Sequence, residues 1–165
     1  MTTELSSIVK DCHDAIPTQK GDIWLDVACN DGTLLKFVPK KMVKVGIDPA
    51  DNSYTNESRQ VADLVIQDFF SAEALENPLG FLKDVEAVLD DEGLLVLQMS
   101  YTPLMLRQLA FDNICHEHVY YYTLKSISKL LEGAGLDIVD CQLNDINGGS
   151  FRVYARKTDA NVTNF

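Results

Sequence analysis

Two histidines and a glutamate stand together in the second half of this chain. The triplet His116, Glu117 and His118 holds two of the three histidines in the sequence, and three tyrosines follow closely at 120–122. A histidine oriented by a neighbouring carboxylate is suited to remove a proton near neutral pH, because its ordinary pKa is about 6.5. The triplet therefore indicates a general base, with His118, Glu117 and His116 as candidate catalytic residues.

Two other interpretations of the triplet stay open. His-x-His spacing is sterically compatible with a metal ion, but only two or three ligands stand nearby, fewer than a closed zinc site needs. The histidines could also serve structure alone, one buried and hydrogen-bonded and the other solvated. We expect no metal and treat catalysis as the main hypothesis.

A second set of polar side chains stands where three predicted strands end. Because the carboxyl ends of parallel strands meet at one edge of a sheet, we expect these residues to lie close together. An acid about 20 residues after a glycine turn can accept hydrogen bonds from ribose hydroxyls, and an acid beside an aromatic residue can bind an adenine amino group. An ordinary capped turn is the alternative for each. The predicted cofactor-binding residues are Asp26, Ala28, Cys29, Asn30, Gly32, Asp48, Pro49, Asp68 and Phe69.

Alternating strand and helix patterns position these residues. One-sided apolar spacing or a capping residue predicts helices at 3–16, 30–38 (a tight turn opening a short helix), 78–90, from Thr102 and from Thr123. Near-continuous apolar runs predict buried parallel strands at 23–29, 43–48, 64–70 and 94–99. The Asn147-Gly-Gly turn between 136–143 and 150–157 predicts a hairpin. The sequence therefore predicts an α/β, Rossmann-like fold whose mostly parallel sheet ends in an antiparallel hairpin, with helices on both faces.

Length and charge restrict the function further. The 165 residues are enough for one domain, expected at 1–157, with a polar tail at 158–165. A formal net charge of -11, with no basic run longer than Lys40-Lys41, argues against nucleic acid as a partner. No apolar run has membrane-spanning length, and the four cysteines lack close pairing, so we expect reduced thiols, no membrane partner and a cytoplasmic location.

The order of the motifs resembles a known family. The segment 111–122 reads FDNICHEHVYYY, and 147–154 reads NGGSFRVY; the stretches 30–35 and 46–50 read NDGTLL and GIDPA. Together they resemble the nucleotide-sugar C-methyltransferases, within the class I methyltransferases that use S-adenosylmethionine (SAM). The resemblance extends from Ile23 to Lys157, and the hairpin at the end of the sheet is also typical of these methyltransferases.

The resemblance implies methyl transfer from SAM, with S-adenosylhomocysteine as product, to a carbon next to a ketone in a nucleotide-linked sugar or similar small molecule. His118 would remove the proton from that carbon, and Glu117 would orient it or hydrogen-bond the sugar. An oxygen or nitrogen acceptor, with the triplet only shaping the pocket, is a second hypothesis. A non-catalytic SAM-binding or assembly module is a third.

The chain also departs from the family pattern. Cys115 and Asn147 replace a tyrosine and a histidine, and only Gly32 remains of the glycine-rich turn. Typical family members also carry flanking domains, so this chain is expected to be a minimal version, a fragment that lacks its flanking domains, or a member that uses a partner protein. The family fold also places a central strand between Phe70 and Leu94, where this sequence has room for one helix only; we expect that a segment near 71–77 is omitted.

Overall fold

A computed structural model of the protein describes residues 2–51, 55–70, 77–114 and 119–158. The chain divides into two compact units, Met1–Ala72 and Glu73–Phe165, which are described separately below. The predicted domain at 1–157 therefore comprises two structural units, and its boundary stays a prediction. Most of the predicted tail lies outside the described residues.

The first unit is a three-stranded parallel sheet with an amino-terminal helix. Its elements are α1 (Thr2–Ala15), β1 (Ile23–Val27), β2 (Val43–Ile47), α2 (Ser58–Val61) and β3 (Leu64–Ile66). The strands lie in the order β1-β2-β3, with Asp26 level with Gly46 and Ile47 level with Ile66. The predicted first helix and three strands are confirmed, although β3 is shorter than predicted.

Only one face of this sheet is packed in the first unit. Trp24 and Val65 contact a buried cluster that includes Val9 and Leu35. Side chains alternate along a strand, so their neighbours point to the opposite face. On that face Ile23 is 68% exposed and Leu64 is 52% exposed. Other apolar residues of these strands are exposed to a lesser degree. The described residues of the first unit therefore cover one face of this sheet.

The stretch after β1 forms successive turns where the sequence predicted a short helix at 30–38. The N–H of Lys36 bonds the carbonyl of Gly32, whereas that of Phe37 bonds Leu34, so helical bonding does not continue. The Asp31 carboxylate accepts from the Thr33 N–H at 3.0 Å and closes an Asx-type turn instead. The stretch therefore closes single turns and does not continue as a helix.

The second unit holds an antiparallel sheet and three helices. Its helices are α3 (Pro78–Val88), α4 (Thr102–Gln108) and α5 (Leu124–Gly133), and its strands are β4 (Leu95–Ser100), β5 (Leu136–Asn144) and β6 (Ser150–Lys157). Short 3-10 helices cover Phe111–Asn113 and Ile146–Gly148. The strands lie in the order β4-β6-β5, and β6 is antiparallel to both neighbours. The predicted hairpin is confirmed.

The core of the second unit lies between α3, α5 and one face of β6. Leu82 of α3 and Leu131 of α5 pack with Phe151 and Val153, which are fully buried. Thr123 begins α5 with a capping box to Ser126, as predicted for a helix start. The apolar residues Val88 and Leu124 stand at helix ends and are 62% and 39% exposed.

The strands thus form two three-stranded sheets, where the sequence predicted one. Among the described residues β1 pairs only with β2, and β4 pairs only with β6. Residues 71–76, near the expected omission, lie outside the described residues, so that expectation stays a prediction.

Candidate functional site

The carboxyl edge of the parallel sheet brings several predicted cofactor residues together. The chain leaves β1 through Ala28 and Cys29, whose N–H groups both bond the carbonyl of Ile47 at the end of β2, over 2.8 and 3.2 Å. The N–H of Asp48 in turn bonds the carbonyl of Ile66 at the end of β3, over 3.0 Å. Parallel pairing is therefore extended by one step beyond each strand, and this fixes the turn after β1 next to Asp48.

The turn after β1 has the backbone shape that a glycine-rich turn would have. Ala28, Asn30 and Gly32 all adopt the left-handed region, with φ of 62°, 48° and 71°. Asparagine tolerates this region, and its side-chain nitrogen also donates to the Ala28 carbonyl at 2.8 Å. Alanine does not tolerate it well, so Ala28 carries strain of about 1 kcal/mol. The turn keeps its geometry although two of its three glycine positions are filled by other residues.

Asp48 is the acceptor that holds this turn. The carboxylate is 4% exposed; Oδ2 accepts from the Asn30 N–H at 2.9 Å and Oδ1 from the Ala50 N–H at 2.9 Å. Each carboxylate oxygen has a second lone pair that can accept a further hydrogen bond. Asp48 therefore has a structural task already, and its predicted role toward ribose hydroxyls would be an addition to it.

Asp26 lies in β1 close to this buried carboxylate. Burial, and then the negative charge of Asp48, raise the pKa of Asp26 from 3.8 to about 6. Because the two carboxyl groups lie in one buried region, ionising Asp26 costs free energy, and a bound cation would lower that cost. The electrostatics of this edge consequently favour a positively charged ligand.

The side chain of Cys29 packs into the core of the first unit. Its side chain is 5% exposed and belongs to the buried cluster, and burial followed by the charges of Asp26 and Asp48 raises the pKa of the thiol. A Cβ atom built on Gly46 would lie only 2.6 Å from the Cys29 sulfur. Because the thiol points into the core, a ligand contact from Cys29 would have to come from its backbone.

The short helix α2, which the sequence did not predict, packs against the turn after β1. A Cβ atom built on Gly32 would lie 2.8 Å from the Ser58 Cα atom of α2, so only glycine permits this close approach. Ser58 is fully buried, and its hydroxyl donates to the Thr55 carbonyl at 2.7 Å. No sequence pattern indicated α2, because a helix of four residues has too few positions to show periodicity.

The remaining predicted cofactor residues lie at the surface of the same unit. Asp68 and Pro49 are exposed, and Phe69 is 64% exposed. The Asp68 carboxylate accepts from the N–H of Phe69 at 2.8 Å. The aromatic ring is thus accessible beyond the end of β3, where an adenine ring was predicted to lie.

The His116-Glu117-His118 triplet falls in 115–118, outside the described residues, but its flanks belong to the second unit. Before the triplet, Asn113 is 5% exposed, and its side-chain oxygen accepts from the Ser100 hydroxyl at 3.2 Å. After it, the Tyr121 hydroxyl donates to the Asn113 carbonyl at 3.2 Å. Both flanks are therefore tied to the end of β4 by Ser100, Asn113 and Tyr121, whose contacts no local sequence pattern indicated.

The Gly-Gly-Ser segment lies beside the same strand end. The Gly149 carbonyl accepts from the Tyr101 N–H at 3.0 Å, and the Tyr101 ring packs against Phe151 at 5.1 Å between centroids. Two motifs far apart in sequence, around the triplet and around Gly148-Gly149, thus converge in the second unit. Among the described residues, no group of three metal-ligating side chains could hold a metal ion.

Comparison with known proteins decides the family. A profile described as a methyltransferase domain matches residues 1–140. The chain belongs to this methyltransferase family. Its fold is that of the class I enzymes, whose methyl donor is SAM. In the part of the chain that the structure describes, no helix is long and apolar enough to cross a membrane.

A relative with a known reaction matches most of the chain. The chain is 27% identical over 173 residues to the C-methyltransferase NovU of Streptomyces niveus, a match that covers 92% of this chain but only 41% of NovU. This chain thus spans less than half the length of NovU. Because 173 residues exceed the 165 of the whole chain, the match includes residues of NovU without a counterpart here.

Solved structures share the fold at low sequence identity. Magnesium protoporphyrin IX methyltransferase of Synechocystis PCC 6803, solved with bound S-adenosylhomocysteine, has a TM-score of 0.73 at 14% identity, covering 94% of this chain and 83% of that one. A SAM-dependent methyltransferase of Clostridium acetobutylicum has a TM-score of 0.70 at 13% identity, covering 95% and 92%. The predicted Rossmann-like methyltransferase fold is therefore confirmed.

Proposed function

We propose that this methyltransferase transfers the methyl group of SAM to a carbon next to a ketone in a small molecule, with a nucleotide-linked sugar as the preferred class of acceptor. The observation that carries the proposal is the motif pair in the second unit. The flanks of the His-Glu-His triplet and the Gly-Gly-Ser segment meet at the end of β4. The similarity to NovU, a C-methyltransferase, supports the same class of reaction.

The first unit would hold the donor. The backbone of Ala28, Asn30 and Gly32 gives a ligand close access, and Asp48 would accept from ribose hydroxyls with its remaining lone pairs. Asp68 and Phe69 would bind the adenine. The paired carboxyl groups of Asp26 and Asp48 suit a ligand that carries positive charge, as SAM does at its sulfonium and ammonium groups.

The triplet would supply the base. A carbon next to a ketone is acidic enough for imidazole to deprotonate once the enolate oxygen is stabilised. In the proposed role, His118 takes that proton and Glu117 orients the ring, while His116 shapes the pocket. SAM, when bound, offers a methyl carbon already bonded to a positively charged sulfur, so the new carbon–carbon bond forms as the carbon–sulfur bond breaks.

The decisive test replaces His118 in the full chain. We expect His118→Asn to abolish formation of S-adenosylhomocysteine with keto-sugar nucleotides while leaving SAM affinity within about twofold. His13→Asn, which removes the third histidine of the chain, should keep full turnover. A mild effect of His118→Asn would instead support an oxygen or nitrogen acceptor, and affinity without turnover for any acceptor would support a non-catalytic module.

A further inference from the structure

A cavity of the first unit carries an unusual concentration of positive charge. It has a volume of about 380 Å³, and Lys36, Lys40 and Lys44 all line it. The buried Met42 lies in its wall, together with Gln60 of α2. The whole chain has only 14 basic residues against 25 acidic ones, so three lysines around one cavity run against the general charge of the protein.

This cavity lies at the opposite end of the sheet from the proposed donor site. Lys44 is the second residue of β2 and Asp63 immediately precedes β3, so both stand at the amino-terminal ends of parallel strands. Asp48 follows the carboxyl end of β2. At about 3.3 Å per residue, the backbones of Lys44 and Asp48 are roughly 13 Å apart along the strand. A ligand in the lysine cavity would therefore occupy a separate site.

The cavity wall also holds one acid, Asp63, so the lining keeps an excess of positive charge. The Asp63 carboxylate accepts from the backbone N–H of Lys44 at 2.8 Å, which commits one of its oxygens to holding β2 and β3 together. The Lys44 ammonium donates to the Leu35 carbonyl at 2.8 Å. An ammonium group has three N–H donors, so this bond fixes its position and leaves two for a ligand.

The other two lysines lie at the surface, where their side chains can turn toward a ligand. Lys40 is exposed, and the Lys36 ammonium is 3.8 Å from the Glu57 carboxylate in an exposed pair. Exposed ion pairs of this kind are weak, so an anion with more than one charge can compete for Lys36. One fixed and two adjustable ammonium groups around a cavity of small-molecule size match a compact polyanion.

We propose that this cavity binds a small molecule bearing two or more phosphate groups, at a site distinct from that of the methyl donor. Binding would neutralise Lys36 and Lys40 while Lys44 holds a phosphate oxygen at the floor. The ligand can be a free polyphosphate or the diphosphate of a nucleotide, since both present the same oxygens. A long nucleic acid is disfavoured by the acidic charge of the rest of the chain.

Calorimetric titration of the full chain with inorganic pyrophosphate, at constant ionic strength, tests this site. We expect saturable binding with one equivalent, weakened at least tenfold in Lys40→Gln and in Lys36→Gln. Lys20→Gln, an exposed lysine of the same unit outside the cavity, is the charge-matched control and should bind like the wild type. Tighter binding of a nucleoside diphosphate than of pyrophosphate would identify a nucleotide as the source of the phosphates.

Three results would overturn the proposal. Absence of saturable pyrophosphate binding by the folded chain would remove the site. Equal weakening in Lys20→Gln would show a general charge effect instead of a cavity. Displacement of pyrophosphate by S-adenosylhomocysteine would show that the two ligands share one site.

Discussion

The backbone N–H of Asn30 donates to the Asp48 carboxylate over 2.9 Å, and this bond joins the turn after β1 to the end of β2. The same carboxylate accepts from the backbone N–H of Ala50, so one buried side chain holds both the turn after β1 and the segment after β2. We expect a residue in this position to support folding and, in the proposed donor site, ligand binding, and the two effects can be measured separately.

We expect Asp48→Asn to destabilise the protein by about 1–3 kcal/mol, because the amide keeps one acceptor oxygen where two N–H groups need one each. SAM affinity should fall at least tenfold in the variant. Urea denaturation and calorimetric titration measure the two effects. Glu57→Gln, which alters an exposed carboxylate, should change neither; wild-type stability and affinity in Asp48→Asn would contradict the assigned role.

Ala28→Gly should stabilise the fold by roughly 0.5 kcal/mol, because glycine removes the strain of about 1 kcal/mol that a Cβ atom causes at a φ of 62°, and part of this gain is offset by the entropy of the unfolded chain. The matched control is Ala62→Gly. Ala62 has an extended backbone with φ of -92°, so glycine there should cost about 0.5–1 kcal/mol through the entropy of the unfolded chain. Opposite signs in thermal or chemical denaturation are expected, and a loss of stability in both variants would show that position 28 is not strained.

The raised pKa of Asp26 gives a pH dependence of known sign. The folded pKa of about 6 lies above the ordinary value of 3.8, so the folded state binds the extra proton between these values. The contribution of Asp26 to the free energy of unfolding is therefore fully present below about pH 4 and is lost as the pH rises through about 6. When Asp26 is ionised, the folded state is less stable by an amount on the order of 3 kcal/mol.

Asp26→Asn should therefore be more stable than the wild type near neutral pH and should lose this part of the pH dependence. Urea denaturation of both proteins at about pH 4.5 and about pH 7.5 measures it. Asp22→Asn, an exposed acid before β1, serves as the control. If wild type and Asp26→Asn change stability equally between the two pH values, the carboxyl group of Asp26 is not the one that titrates.

Two adjacent positions of β3 test which face of the parallel sheet is packed. Val65→Ala should cost about 1–2 kcal/mol, because Val65 packs on the buried cluster of the first unit. Leu64→Ala removes a larger side chain but should cost less than about 1 kcal/mol, because Leu64 is 52% exposed. Denaturation midpoints at equal cooperativity give the comparison, and a larger loss for Leu64→Ala would show that the opposite face is covered in solution.

The local order of elements was accessible from the sequence. Apolar periodicity placed α1, α3, α5 and the strands within a few residues, because burial on one side of a helix or strand leaves a repeat in the sequence. The helix start at Thr123 and the hairpin at the Gly-Gly turn could also be predicted, because each depends on residues that are close together in the sequence. The acids at 26, 48 and 68 could be grouped from the strand pattern alone, because parallel strands share one carboxyl edge.

Other features depend on contacts between residues distant in sequence, which no local pattern encodes. Cys29 was predicted beside the ligand, yet packing against Gly46 turns its thiol into the core. Asp48 was predicted to accept from ribose hydroxyls, and one of its lone pairs already accepts from the backbone N–H of Asn30. The helix expected after Asn30 is replaced by turns, in which Gly32 lies close to the backbone of Ser58 in α2.

The sequence by itself determined the class of fold and the candidate chemistry, since both follow from residue types at short or regular spacing. Only the tertiary structure decided how the apolar strands are distributed over two sheets, which side chains support the turn, and that three lysines surround one cavity. These properties arise when side chains from separate elements compete for the same buried space and the same hydrogen-bond partners, and that competition is settled only in the folded chain.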